Sequence, residues 1–214
     1  MSPIAIFMLR HGAHEAVHDR LCGRAEGHPL GEAGRAEAQA LARRLSRERL
    51  AAVYSSPIRR ARQTAEAVAQ PHGLSTEIAE PLIEIDFGDW TGAQFSDLAG
   101  REDWRRWNER RDIAAPPNGE SMAQTQSRVV GWLMSLRERH AGGAVAAVSH
   151  GDVIKAAVMF AISLPLHRHG QLEISPGSLT TIVLHDEGLK LYTLNEIPLA
   201  GTRRGADSAN EQGS

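Results

Sequence analysis

The chain has 214 residues, 42% of them hydrophobic and 23% charged, with a formal net charge of −2 and a pI near 6.6. That balance is ordinary for a globular protein and excludes a general nucleic-acid binder, which carries a basic surplus. The one cysteine, Cys22, excludes an intramolecular disulfide and an all-cysteine zinc site, and no apolar run is long enough to cross a bilayer. With no basic leader ahead of the first apolar run, a reducing, cytoplasmic setting is the expectation.

Ile4-Ala5-Ile6-Phe7-Met8-Leu9 is continuously apolar and predicts a buried strand. It gives way in one step to Arg10-His11-Gly12. This places a cation and an imidazole at the carboxyl end of a central strand, where open α/β sheets bind their ligands. Arginine presents a planar fork of donors to phosphate, a neutral imidazole can attack phosphorus, and glycine lets backbone approach a ligand closely. Leu30 to Arg49 reads as a helix, rich in alanine and with Leu41 and Leu45 four apart. Leu50-Ala51-Ala52-Val53-Tyr54 reads as a second strand. Ser55-Ser56-Pro57 ends it and opens a helix, with Pro57 in the first turn, that runs to about Gln70 before Pro71-His72-Gly73 breaks it.

Residues 92–118 interrupt the alternation. Trp104 and Trp107 are spaced for one helix face, among Arg101, Arg105, Arg106, Arg110 and Arg111. The segment reads either as a surface excursion packed by its tryptophans or as a lid shaping a substrate pocket. Ser121 with Gln124 three residues on is a capping-box signal for a long helix, striped by Val129, Leu133 and Leu136 and stopped by Gly142-Gly143. Ala144 to Val148 is another apolar strand, ending in Ser149-His150-Gly151, and the helix after it carries Val153, Ile154, Ala157 and Val158 on one face. Leu179 to Leu184 and Leu189 to Leu194 predict two more strands joined by Asp186-Glu187-Gly188. Strands alternating with helices argue an α/β fold with a largely parallel sheet. Residues 1–199 are read as one domain, and the polar tail of residues 200–214 as disordered.

Two strands thus end alike, in Arg10-His11-Gly12 and in Ser149-His150-Gly151. If both are central and parallel, two imidazoles and an arginine meet at one sheet edge, beside the positive N-terminus of the helix opened by Gly151. Four segments in order resemble the histidine phosphatase superfamily, which includes the cofactor-dependent phosphoglycerate mutases. They are Leu9-Arg10-His11-Gly12, the run from Ser55 to Ala65, the run from Glu84 to Gly92, and Ser149-His150-Gly151; Pro117-Asn118-Gly119-Glu120-Ser121 also has a family look.

The resemblance covers roughly Ile4 to Leu194. It implies a three-layer α/β/α sandwich with a mostly parallel central sheet, phosphoglycerate mutase-like, and a phosphatase acting on small phosphomonoesters. His11 would be the nucleophile, its tautomer fixed by a backbone carbonyl. Arg10, Arg60, His150 and Gly151 would hold the phosphoryl group with His11, Arg60 being favoured over Arg59. The charge-rich transition state is served mostly by positioning and positive charge. Glu84, with Asp86 and Asp89 as rivals, would protonate the leaving oxygen and then activate water, which needs a raised pKa. Arg24 and Trp90 are the candidates for further substrate contact. No metal or other cofactor is implied, and the implied partner is a small phosphorylated metabolite, with no nucleic acid or membrane. The assembly is expected to be a monomer or a homodimer.

The match departs from the family at Ala13, His14, Val17 and Thr91. Val17 stands where the family has a phosphate-donating asparagine, for which His14 or Arg24 would have to substitute. His14-Glu15-Ala16-Val17-His18 spells the zinc-protease pattern, but chance matches come cheaply among ten histidines, and neither the required helix nor a third ligand is indicated. Two alternatives to the phosphatase remain: a phosphoglycerate-type mutase, to which the arginine cluster would lend itself, and a non-catalytic phospholigand-binding protein, which the presence of His11, Arg60, Glu84 and His150 disfavours.

Overall fold

The structure is a computed structural model and describes residues 2–16, 19–25 and 27–199. Its frame is a six-stranded sheet ordered β3-β2-β4-β1-β5-β6. The strands are β1 (Ile4–Arg10), β2 (Leu50–Ser55), β3 (Thr76–Ile78), β4 (Ala144–Ser149), β5 (Leu179–His185) and β6 (Gly188–Glu196). β1, β2, β3 and β4 run parallel, while β5 and β6 form an antiparallel hairpin against β1. The expected two strands ending in histidine are neighbours at the centre, paired from Ala5↔Ala144 to Arg10↔Ser149.

Strand alternation decides what covers each face. Ile4, Ile6 and Met8 point into a core shared with α5 (Met122–Arg139) and α6 (Gly151–Ala161). Phe7 and Leu9 point the other way, toward α1 (Glu32–Leu45) and α2 (Arg59–Ala69). Helices on both faces of a mostly parallel sheet make the three-layer α/β/α sandwich. The capping box of α5 is formed as predicted: the Ser121 hydroxyl accepts from the Gln124 N–H and the Gln124 side chain accepts from the Ser121 N–H.

Three local expectations are corrected. α1 is shorter than Leu30 to Arg49, since Ser46 returns its hydroxyl to the Arg43 carbonyl at the helix end. α2 starts at Arg59 and not within Pro57, because the Ser56 hydroxyl takes the Ile58 N–H and Ile58 is extended. The edge strand β3 was not anticipated; it has three residues, none of them fully buried, and so carries no periodic signal.

Within residues 92–118 lie α3 (Phe95–Leu98) and α4 (Glu102–Glu109). Trp90 and Trp107 are buried, and Trp90 meets Trp104 edge-on and Trp107 in a tilted contact. Most of the arginines there pair with nearby carboxylates on the surface, as in Arg101–Asp103, Arg105–Glu102 and Arg110–Asp112. Arg111 differs: it is buried, lies over the Trp107 ring and reaches Asp152 at 3.2 Å. Among the described residues no helix is long and apolar enough to cross a membrane. The tail expectation and the readings of Val17 and His18 fall outside the described residues.

Candidate active site

The carboxyl ends of β1 and β4 deliver His11 and His150 side by side, with ring centroids 5.0 Å apart and the planes inclined at 64°. Both side chains are buried. Gly12 is needed by close approach: a Cβ there would sit 2.3 Å from the Gly34 carbonyl oxygen, where the start of α1 packs onto the loop. His11 Nδ1 lies 2.8 Å from the Gly12 carbonyl, so this nitrogen carries the hydrogen and Nε2 is left with its lone pair. Arg60 donates from Nε to that Nε2 at 3.0 Å. Burial first, then the Arg60 and Arg10 cations, hold the His11 pKa well below the usual histidine range.

Arg60 comes from the first turn of α2 and is 2% exposed. Its guanidinium also donates to the Gly23 carbonyl at 2.7 Å and to His150 Nδ1 at 3.4 Å. His150 Nε2 then donates to the Ser56 hydroxyl at 2.8 Å, which fixes the ring. Burial, His11 and the two arginines keep His150 neutral as well. Arg10 donates to the Ile174 carbonyl at 2.6 Å, while its Nε is a buried donor with no hydrogen-bond partner. A buried guanidinium edge left unsatisfied beside two imidazoles fits an anionic ligand oxygen. Gly151 lies against the Arg10 guanidinium at the N-terminus of α6.

Glu84 faces this cluster, with Oε2 3.9 Å from His150 Nδ1 and Oε1 accepting the Ile85 N–H at 2.9 Å. Its pKa is pushed up to about 7, by burial first and by the Asp152 charge second, against the Ile85 hydrogen bond and the arginines. Asp86 and Asp89, its rivals in the sequence, turn to other work: Asp86 caps Gly88 N–H and Asp89 accepts from Asn118. The segment bearing Glu84 is clamped by Glu120, which accepts from the Asp86 N–H, from Arg24 and from Arg128.

Arg24, a candidate for substrate contact, is engaged by this clamp. It does not line the pocket; it donates to the Glu84 carbonyl at 2.8 Å and pairs with Glu120 at 3.0 Å, bracing the loop from behind. Trp90, the other candidate, lies elsewhere. At 1% exposure it belongs to the core, and the apolar lining of the pocket comes from Leu21, Phe87, Phe95 and Ile174. His14, by contrast, does line the pocket.

Several lining residues had no sequence signal. Asp152 and Lys155 sit on the polar side of α6, one and four residues beyond Gly151, and Glu173 lies in the connection leading to β5. Burial opposes ionisation of Asp152, but the Arg111 ion pair and the His169 hydrogen bond outweigh it and hold the carboxyl well below its ordinary range. Only the spacing of Asp152 from His150 could have drawn attention to it. The cavity has a volume of about 190 Å³, below the range usual for drug-sized ligands.

Residues 6–197 match the histidine phosphatase superfamily (branch 1). The chain is 32% identical over 168 residues to phosphoserine phosphatase 1 of Hydrogenobacter thermophilus, covering 78% of this chain and 80% of that one. It is 27% identical over 192 residues to the adenosylcobalamin/alpha-ribazole phosphatase of Escherichia coli, covering 89% and 95%. Among solved structures, a mycobacterial glucosyl-3-phosphoglycerate phosphatase superposes with a TM-score of 0.82 at 27% identity, covering 91% of this chain and 99% of the other.

Proposed function

The chain belongs to the histidine phosphatase superfamily, and from that premise we propose that it hydrolyses small phosphomonoesters through a phosphohistidine on His11. The observation that carries the reading is the paired polarity of the buried centre. A neutral imidazole whose unprotonated Nε2 accepts from Arg60 stands among cationic donors, opposite a carboxyl whose pKa of about 7 lets it hold or release a proton near neutrality.

In the first step the His11 Nε2 lone pair forms the N–P bond as the ester P–O bond breaks. Arg10, Arg60 and His150 receive the phosphoryl oxygens, the α6 N-terminus at Gly151 adds its dipole, and Glu84 passes its proton to the departing oxygen. An incoming dianion also opposes the burial and the neighbouring cations that lower the His150 pKa, so its Nδ1 can take a proton from solvent and donate. In the second step the Glu84 carboxylate takes a proton from water as the water oxygen bonds to phosphorus and the N–P bond breaks. Inorganic phosphate leaves, and His11 and Glu84 return to their starting states. Ser56 orients His150, and Arg24, Glu120 and Arg128 hold the Glu84 segment; these are positioning residues.

Lys155 and Glu173 add both charge signs to a lining that also holds Phe87 and Phe95, which suits a small polar phosphorylated metabolite. The relatives named for phosphoserine and for glucosyl-3-phosphoglycerate suggest substrates with a carboxylate for Lys155. The free cysteine fits a reducing, cytoplasmic setting. The test is hydrolysis of p-nitrophenyl phosphate in excess EDTA by wild type and His11→Ala. Turnover that survives chelation, vanishes in the variant and traps an acid-labile phosphoenzyme only in wild type is expected. Full activity in His11→Ala would overturn the assignment.

A further inference from the structure

We propose that His14, Cys22 and His28 form a binding site for a divalent transition-metal ion of the zinc class, set in the wall of the pocket and apart from the reaction. Each offers one ligand atom, and the three atoms lie within 4.8 Å of one another. Tetrahedral zinc bonds of about 2.0–2.3 Å put neighbouring ligand atoms about 3.3–3.6 Å apart, so small side-chain rotations close the site. His14 and Cys22 are buried and His28 is half-buried, with the two imidazole centroids 5.6 Å apart. The donor set is two imidazoles and a sulfur with no carboxylate, which selects zinc-like ions over magnesium or calcium.

The setting points the same way. All three residues belong to the connection between β1 and α1, residues 11–31, whose described part contains no helix and a single bridge, Arg20↔Gln94. Connections this long without secondary structure exceed the ~12–15 residues usual in compact domains and tend to be functional. A cross-link between positions 14, 22 and 28 ties that connection at three points. On binding, the Cys22 thiol gives its proton to solvent and its sulfur bonds the ion; the imidazoles bind through neutral nitrogens, and nothing is oxidised or reduced. A fourth position remains for water.

The His14 ring lies 5.8 Å from that of His11, so the site borders the reacting centre without including His11 among its ligands. His14 and Cys22 both line the pocket, so an ion held between them takes up space in its wall and restrains turnover. This effect on turnover rests on the phosphatase reading, whereas binding does not.

The experiment titrates chelator-stripped full-length protein with Co²⁺. One equivalent is expected to give a thiolate-to-cobalt charge-transfer band that Zn²⁺ competes away. Cys22→Ser should lose the band, and His28→Ala should bind at least about tenfold more weakly; the half-buried His28 position keeps the test usable if the buried Cys22 variant folds poorly. No band in wild type, or a His28→Ala variant that titrates like wild type, overturns the site. With p-nitrophenyl phosphate, Zn²⁺ should inhibit wild type and spare His28→Ala, whose metal-free turnover is unchanged. Equal inhibition of both overturns the restraint. A protein that binds cobalt as described but shows no turnover in EDTA would fail the phosphatase reading and leave the metal site standing.

Discussion

Replacing Glu84 by glutamine is expected to stabilise the fold at alkaline pH while removing activity. The side chain is 13% exposed, and its pKa rises from the ordinary 4.5 to about 7, through burial and then Asp152. The folded protein therefore keeps a proton on this carboxyl that the unfolded chain releases. Across that window the folded state binds more protons, so stability falls as pH rises from 4.5 to about 7. At 1.36 kcal/mol for each tenfold change, the rise costs about 3 kcal/mol, felt in full above pH 7 and absent below pH 4.5. An amide cannot ionise and escapes the cost. The gain of Glu84→Gln over wild type should thus be about 3 kcal/mol larger at pH 8 than at pH 4, or roughly 6–12 °C in Tm for a chain of this size. Thermal or urea melts of both proteins at the two pH values measure it. A difference that does not change with pH would refute the claim that the folded protein holds the Glu84 proton up to about pH 7.

The same variant should lose about 10²–10⁴ in turnover of alkyl phosphates and far less with p-nitrophenyl phosphate, whose leaving group needs little protonation; equal losses would remove Glu84 from the acid role. Asp152→Asn removes the second-largest influence raising the Glu84 pKa, so the falling alkaline limb of the pH–rate profile with an alkyl phosphate should move to lower pH, and an unmoved limb would count against the coupling. Ser56→Ala frees the His150 ring; with one hydrogen bond worth about 1 kcal/mol, kcat should fall about fivefold with KM little changed, read from steady-state kinetics. Gly34→Ala would put a Cβ 2.0 Å from the Ala13 carbonyl oxygen and should cost about 3 kcal/mol. Gly131→Ala in α5, where nothing lies within 4 Å, should instead stabilise by about 0.5–1 kcal/mol, and melting of the two variants makes the comparison.

Much of the frame was legible because its signals are local. Continuous apolar runs marked β1 and β4, and Ser121 with Gln124 marked the start of α5 to the residue. The neighbouring histidines could be foreseen from two strands ending alike. What escaped lies in tertiary relations. Asp152 and Lys155 look like solvated residues of an amphipathic helix until the fold turns that side of α6 to the pocket. Trp90 and Arg24 suggested ligand contacts because tryptophan and arginine often make them; here the core claims one and the Glu120 clamp the other. The gathering of His14, Cys22 and His28 depends on the path of an irregular connection, which no periodicity encodes.

The sheet order also governs how the molecule is made. β1 leaves the ribosome first, yet its two partners are β4 and β5, with Arg10 pairing Ser149 and Leu9 pairing Leu179. At about 5–20 residues per second, roughly 7–28 s of synthesis separate the emergence of β1 from that of β4. Throughout that interval Ile4-Ala5-Ile6-Phe7-Met8-Leu9 has both edges open and no sheet to join. The strand that leads into His11 is thus made long before either of its partners, and the paired ends of β1 and β4 can come together only once β4 has emerged.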